Sequence, residues 1–355
     1  MTKQIFLTAD SKKLPIKDKS IQLIVTSPPY PMIEMWDSVF MVQNPKIKNA
    51  IETNDGEKAF KYMHNILDKI WEECDRVLMD NGFICINVGD ATRTINGKFQ
   101  LYSNHTQIIN KFLKMGYSVL PDIHWKKTSN APNKFMGSGM YPAGAYVTYE
   151  HEYILIFRKG GKRNFSNEEK KLRQESAYFW EERNLWFSDI WEINGTSQKL
   201  NAKTRIRNAS FPIEIPYRLI NMYSIKGDNI LDPFGGLGNT LIASIITERN
   251  CYSVDISDEI NQIAKNRIIE IKTIANNYIS QRIHNHKQFI ESLPIEKQKK
   301  CYQNEKLNIL VKTQQEKNIN IHLIKNISLN KEYNFAINYY KDNVDKYIVS
   351  YENFI

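Results

Sequence analysis

Residues 229–240 read Asn229-Ile230-Leu231-Asp232-Pro233-Phe234-Gly235-Gly236-Leu237-Gly238-Asn239-Thr240: a short apolar run, a glycine-rich turn and the opening of a helix. Glycine is needed in such a turn because the backbone bends sharply and a ligand must come close to it, while the helix start presents free N–H groups. The turn lacks the third glycine of G-x-G-x-x-G and the Gly-Lys-Ser/Thr of a phosphate loop, which argues against nicotinamide or ATP chemistry. The next apolar run ends on Asp255, where a ribose-binding carboxylate follows a nucleotide-binding turn. A lone Asp at a strand end also serves as a helix cap, and Ser257 or Asp258 could fill that role equally well.

Outward from this turn the chain alternates strand and helix. Residues 5–7 and 21–25 are β-branched apolar runs, and residues 57–79 carry apolar side chains at helical spacing (Phe60, Met63, Ile66, Leu67, Ile70, Trp71, Cys74, Val77, Leu78), with Asn81-Gly82 as the expected stop. Strands are expected at 83–88, 117–125, 153–157, 229–231 and 252–255. Helices are expected at 213–223, after Gly238 and at 259–274. This rhythm predicts an α/β fold with a parallel sheet and crossover helices. Between residues 158 and 207 the pattern loosens into dense charge and scattered Trp180, Trp186 and Trp191. Beyond Asn276 the chain is rich in Asn, Lys and Ile, an extension with no functional account.

A second motif, Thr26-Ser27-Pro28-Pro29-Tyr30, leaves the 21–25 strand directly. Two prolines lack N–H groups, so the chain departs as a stiff extended loop with free carbonyl oxygens. Ser27 as an acceptor and Tyr30 as a flat aromatic suit a planar base with an exocyclic amine; the pentapeptide alone is equally a rigid turn over a packed tyrosine.

Together the two motifs resemble those of the S-adenosylmethionine-dependent amino-methyltransferases of DNA bases. Ser27-Pro28-Pro29-Tyr30 is similar to their catalytic S/D/N-P-P-Y/F motif, and Asp232 to Gly238 to their cofactor turn D-P-F-x-G-x-G. The resemblance runs from about Phe6 to Ile274 and takes in Ala9-Asp10-Ser11, Phe211-Pro212-Ile213 and Ser253-Val254-Asp255-Ile256. Asn239-Thr240 departs from the commoner Thr-Thr. The catalytic motif precedes the cofactor motif, the permuted order of the β class.

The resemblance implies a Rossmann-like methyltransferase sheet with helices on both faces. It divides the chain into a catalytic part (1–157), a target-recognition insertion (158–207), a cofactor-binding part (208–275) and a C-terminal extension (276–355). It assigns Ser27, Pro28, Pro29 and Tyr30 to catalysis, with Tyr30 stacking on a base flipped from the duplex. It assigns Asp10, Phe211, Pro212, Ile213, Asp232, Phe234, Gly236, Gly238, Thr240 and Asp255 to S-adenosylmethionine. Ser before Pro-Pro usually accompanies cytosine-N4 methylation in this family and Asp adenine-N6; the adenine enzyme is the alternative, and a non-catalytic DNA-binding homologue is a further reading. No Cys stands beside a Pro as a nucleophile for ring-carbon methylation.

Double-stranded DNA is the implied partner, together with a cognate restriction endonuclease. Lys+Arg 48 against Asp+Glu 39 gives a net charge of +9, which suits a polyanion and equally a solvated lysine-rich surface. Arg163, Arg173, Lys203, Arg205, Arg207 and Lys126 are the candidate DNA contacts. Apolar residues at 42% and charged residues at 25% are ordinary globular composition. No run approaches the roughly 20 apolar residues of a membrane span, no secretory pattern opens the chain, and a cytoplasmic location is expected. Cys74, Cys85, Cys251 and Cys301 lie far apart, and His284 and His286 sit in a polar stretch, so neither disulfides nor a metal site is expected.

Overall fold

The computed structural model describes residues 1–127, 136–137, 139–194, 211–332 and 334–341. Among the described residues ten strands form the central sheet: β1 (Thr2–Thr8), β2 (Ile21–Thr26), β3 (Leu78–Val88), β4 (Ser118–Lys126), β5 (His151–Arg158), β6 (Ile190–Glu192), β7 (Asn229–Asp232), β8 (Asn250–Asp255), β9 (Ile324–Leu329) and β10 (Phe335–Tyr339). Their order is β6-β4-β5-β3-β2-β7-β8-β1-β10-β9. The run β3-β2-β7-β8-β1 is parallel throughout. At one side β5 and β4 add as an antiparallel hairpin, at the other β10 and β9 do the same. The sheet is therefore mixed, with the expected parallel strands at its centre.

Alternation along the strands assigns each side chain to one of two cores. Leu23 and Val25 of β2, Cys85 of β3 and Ile230 of β7 join one cluster, while Ile24, Ile84, Ile86 and Leu231 join the other. A period of two in strands buried on both faces produces this division. The second cluster is covered by the helix Gly56–Val77, whose Met63, Leu67, Ile70, Trp71 and Cys74 are buried, and by Asn104–Lys114 through Ile108 and Phe112. The first is covered by helices Glu214–Tyr223, Asn239–Ile246, Asp258–Glu270 and Lys272–Ser292.

The crossover from β2 to β3 thus lies on one face and that from β7 to β8 on the other. The connections that leave the C-terminal ends of adjacent strands β2 and β7 consequently run to opposite faces, a topological switch point where open α/β sheets bind ligands.

Three segments differ from the sequence expectation in instructive ways. The long helix ends at Val77, and Asn81-Gly82 is a bulge inside β3 rather than the helix stop. Asn81 takes a left-handed φ of 68°, its N–H donates to Lys159 O at 2.7 Å, and the β2–β3 register shifts there. Within the stretch read as an insertion, β6 pairs with β4, and Phe179, Trp186 and Trp191 are buried in the same cluster as Phe6 and Ile215. The Asn-, Lys- and Ile-rich segment supplies β9 and β10 and buries Leu307, Ile309, Val311 and Leu323 in that cluster as well. Asn276 clamps it by donating to Ile324 O at 3.1 Å and accepting from Ile324 N at 2.7 Å. Among the described residues no helix is long and apolar enough to cross a membrane.

Candidate active site

An open cavity lies over the switch point. It is lined by Asp10, Ser27, Pro28, Pro29, Trp36, Phe211, Asp232, Phe234, Gly235, Gly236, Asn239, Thr240 and Asp255, among others. The two motifs, some 200 residues apart in sequence, form one wall because β2 and β7 are hydrogen-bonded neighbours.

The glycine-rich turn has its conformation imposed from several sides. Gly235 packs so closely on β8 that a Cβ there would lie 2.0 Å from Ser253 Oγ, while Gly236 and Gly238 take left-handed φ values of 48° and 80°. A Cβ on Gly236 would meet little but Phe234 O at 3.8 Å, so the backbone there is open to a ligand that lies flat against it. Asp255 ends β8, accepting from Gly236 N at 3.2 Å and from Ser257 N at 2.8 Å. Ser11 closes the far side by donating to Pro233 O at 2.6 Å. Asp10 is more exposed and accepts from Lys12 N at 3.0 Å.

Asp232 is 3% exposed and its oxygens are already engaged: Thr26 Oγ1 donates at 2.6 Å, Thr240 Oγ1 at 2.6 Å and Phe234 N at 3.0 Å. Burial pushes its carboxyl up to about 6, with the hydroxyls of Thr240 and Thr26 pulling the other way. Asp232 and Thr240, both expected to contact S-adenosylmethionine, are thus bonded to each other and brace the turn that borders the cavity. The unusual Asn239 has a visible reason: its amide donates to Phe211 O at 2.8 Å and accepts from Arg267 at 3.1 Å, tying the 211–213 segment to the helix that begins there. Phe211 lines the cavity, whereas Pro212, Ile213 and Gly238 stand behind its wall.

At the β2 end of this wall, Ser27 Oγ lies 2.9 Å from the Tyr30 hydroxyl. Tyr30 donates to Glu152 Oε2 at 2.9 Å. Asn87, at the end of β3, donates to Glu152 Oε2 at 2.6 Å and to the Tyr30 oxygen at 2.8 Å, and Lys127 forms an ion pair with Glu152 Oε1. Tyr30, expected to offer a stacking face, is only 4% exposed and is not a lining residue; its hydroxyl is what it turns toward Ser27. Burial and the Glu152 carboxylate hold this phenol well above its ordinary range.

Asn87 and Glu152 are not among the site residues that the sequence points to. A polar residue inside the apolar run 83–88 was the one available signal for Asn87; Glu152 and Lys127 reach the site only through the pairing of β5 with β3 and β4.

The basic candidates among the described residues stand in different surroundings. Arg163 is bonded to Asp228 at 2.7 and 3.0 Å and to Glu169 at 2.9 Å, with its side chain 13% exposed, so the geometry commits it to an internal ion pair instead of phosphate. Arg173 sits over the Phe165 ring at 4.8 Å, and Lys126 pairs with Glu192 at 3.2 Å at the solvent-facing edge. Lys203, Arg205 and Arg207 lie outside the described residues. Among the described residues one group, Glu181, His286 and Glu316, has the composition of a metal site, but His286 is engaged by Glu181 and Leu310 O, and Glu316 by Trp180 N.

The DNA methylase family model matches residues 21–266. The chain is 48% identical over 349 residues to the type II methyltransferase M.MthZI of Methanothermobacter thermautotrophicus, covering 97% of each. It is 48% identical over 279 residues to the type II methyltransferase M.MjaI of Methanocaldococcus jannaschii, covering 75% of this chain and 91% of the relative. A putative DNA modification methylase of Thermus thermophilus, solved in complex with S-adenosyl-L-methionine, superposes with a TM-score of 0.58 at 28% identity, covering 76% of this chain and 94% of the other. The cavity has the features this cofactor requires: carboxylates for a ligand carrying a sulfonium and an ammonium group, and a glycine backbone for close approach. By sequence, fold and the two motifs meeting at one cavity, the chain belongs to the N6/N4 DNA methylase family and is an S-adenosylmethionine-dependent DNA methyltransferase.

Proposed function

We propose that this enzyme methylates the exocyclic N4 amine of cytosine within a short duplex recognition sequence, as the modification partner of a restriction endonuclease. The single observation that carries the base assignment is Ser27, a neutral hydroxyl at the exit of β2 on the cavity wall, in the position where Asp accompanies adenine chemistry in the family the motifs resemble. The pairing with an endonuclease is supported by the type II designation of the two 48% identical relatives.

S-adenosylmethionine, when bound, supplies a methyl group already activated by its sulfonium. Asp255 would accept from ribose hydroxyls, Asp10 would lie near the adenine, Phe211 and Phe234 would line the apolar part, and Gly236 would admit the ligand against the backbone. Asp232 and Thr240 act one step back, through the turn they brace.

The lone pair of a cytosine amine is delocalised into the ring, so the amine is a poor nucleophile until acceptors draw its protons out of the ring plane. Ser27 Oγ and the Pro28 carbonyl, both on residues that line the cavity, serve as those acceptors. The chain's contribution is alignment and polarisation. Access to an amine inside the duplex requires the base to leave the stack.

Methylating DNA with the purified protein and identifying the modified nucleoside tests the assignment. N4-methylcytosine is expected, and N6-methyladenine alone overturns it. Binding of S-adenosylmethionine measured by calorimetry separates the enzyme from a non-catalytic homologue.

A further inference from the structure

The hydrogen bonds around Ser27 have a direction that the residue types settle. An ionised carboxylate only accepts, so the single proton of Tyr30 goes to Glu152 Oε2 at 2.9 Å. Asn87 Nδ2 also donates to the Tyr30 oxygen, at 2.8 Å. The Ser27–Tyr30 contact at 2.9 Å must then run from Ser27 to Tyr30, because Tyr30 has no second proton to give. Ser27 spends its only proton inside the protein; Asn87 Nδ2 reaches the Ser27 oxygen only at 3.4 Å, its shorter bonds going to Tyr30 and Glu152, so a lone pair of Ser27 is left for the cavity it lines. Water does not substitute for these partners: Tyr30 is 4% exposed, Glu152 8% and Asn87 2%. The Glu152 charge is held by Lys127 Nζ at Oε1, and the Lys127 side chain, 28% exposed, marks the end of the network nearest solvent. Lys127 also lies 4.8 Å from the centre of the Trp125 ring.

We infer that Glu152 is a positioning residue for methyl transfer: through Tyr30 it holds Ser27 as an acceptor facing the target amine, and it receives the proton that the methylated amine gives up. This rests on the reading of Ser27 as the amine's acceptor and applies to either base. As the nitrogen–carbon bond forms and the methyl–sulfur bond breaks, the nitrogen is left with one proton too many. That proton passes to Ser27 Oγ, the Ser27 proton to the Tyr30 oxygen and the Tyr30 proton to Glu152 Oε2. Ser27 and Tyr30 end neutral and unchanged, and Glu152 ends as the carboxylic acid, which returns its proton to solvent on the Lys127 side. The same chain gives Tyr30 a reason to carry a hydroxyl in a buried position.

The test uses the full-length protein, S-adenosylmethionine with a labelled methyl group, and unmodified genomic DNA. The variants are Glu152→Gln, Tyr30→Phe and the two combined. Each single variant is expected to lower kcat by about 100-fold while KM for DNA and the affinity for S-adenosylmethionine hold within about threefold. The double variant is expected to be no slower than the slower single one, since both cut one chain. A purely structural role would move S-adenosylmethionine affinity and KM along with kcat. Multiplicative losses in the double variant, or a Tyr30→Phe enzyme with undiminished kcat, overturn the inference; if Glu152→Gln does not fold, Tyr30→Phe decides alone. Identifying the methylated nucleoside in the same reactions keeps the readings apart: N6-methyladenine made at rates that depend on Tyr30 and Glu152 overturns the cytosine assignment and supports the chain.

Discussion

Thr26 Oγ1 donates to Asp232 Oδ1 at 2.6 Å across 206 residues of sequence, with both residues fully buried. The last residue of the catalytic strand thereby grips the last residue of the cofactor strand. The position of Ser27, one residue on, is mechanically tied to the glycine turn that follows Asp232.

Replacing Thr26 by Val keeps the shape and removes this bond, leaving a buried carboxylate oxygen with one donor fewer. A stability loss of about 1–3 kcal/mol is expected, together with weaker S-adenosylmethionine binding and a lower kcat. Chemical denaturation and calorimetry check this; a variant that loses stability but keeps full cofactor affinity would show the bond to be structural only.

Asp232 also makes a pH prediction. Burial raises its carboxyl from 3.8 to about 6, so the folded state holds that proton more tightly than the unfolded chain. Its contribution to stability is full below pH 3.8 and is lost as the pH rises through about 6. Measured as wild type minus Asp232→Asn, which cancels the other carboxylates, stability is expected to fall by about 3 kcal/mol between about pH 4 and about pH 7 and to stay level above. A difference that does not change with pH would refute the raised value.

Gly235→Ala puts a methyl group 2.0 Å from Ser253 Oγ and 3.2 Å from Val254 N, so the turn or β8 must move. A loss of about 2 kcal/mol or more and weaker cofactor binding are expected. Adding Ser253→Ala removes the nearer clash and should restore part of both; no recovery would locate the strain in the backbone.

Arg163→Ala should cost about 3 kcal/mol, because it leaves Asp228, with its side chain 6% exposed, without its cation. The slope of DNA affinity against salt concentration should be unchanged, since a residue bound internally releases no counterions. A slope reduced by about one would return Arg163 to the DNA surface.

Truncation after Ser292 removes β9 and β10 and the buried Leu307, Ile309, Val311 and Leu323. It bares the edge of β1 as well as the first core cluster, so loss of soluble, cooperatively folding protein is expected by thermal denaturation. A stable, active truncated enzyme would show the segment to be dispensable.

Periodicity and turn chemistry made the central fold legible, because β2, β7, β8 and the helices after them carry their own local instructions: β-branched runs, prolines without N–H groups, glycines where φ is positive. The two motifs named the cavity wall from sequence for the same reason, since a ligand that approaches the backbone restricts which residues can stand there. What depends on pairing partners stayed hidden. Asn81-Gly82 looks like a helix stop until β3 is seen to bulge against Lys159, and Arg163 looks like a DNA contact until Asp228 is seen beside it. Glu152 and Lys127 have no local signal at all; only the antiparallel return of β5 beside β3 and β4 carries them to Tyr30, 122 residues away in the case of Glu152. Local sequence determined the strands, the turn and the place of Ser27 at the strand exit, because short-range sterics and backbone hydrogen bonding suffice for those. The tertiary structure alone decided which way the Ser27 proton points, because that depends on a carboxylate brought in from a distant strand and stripped of water.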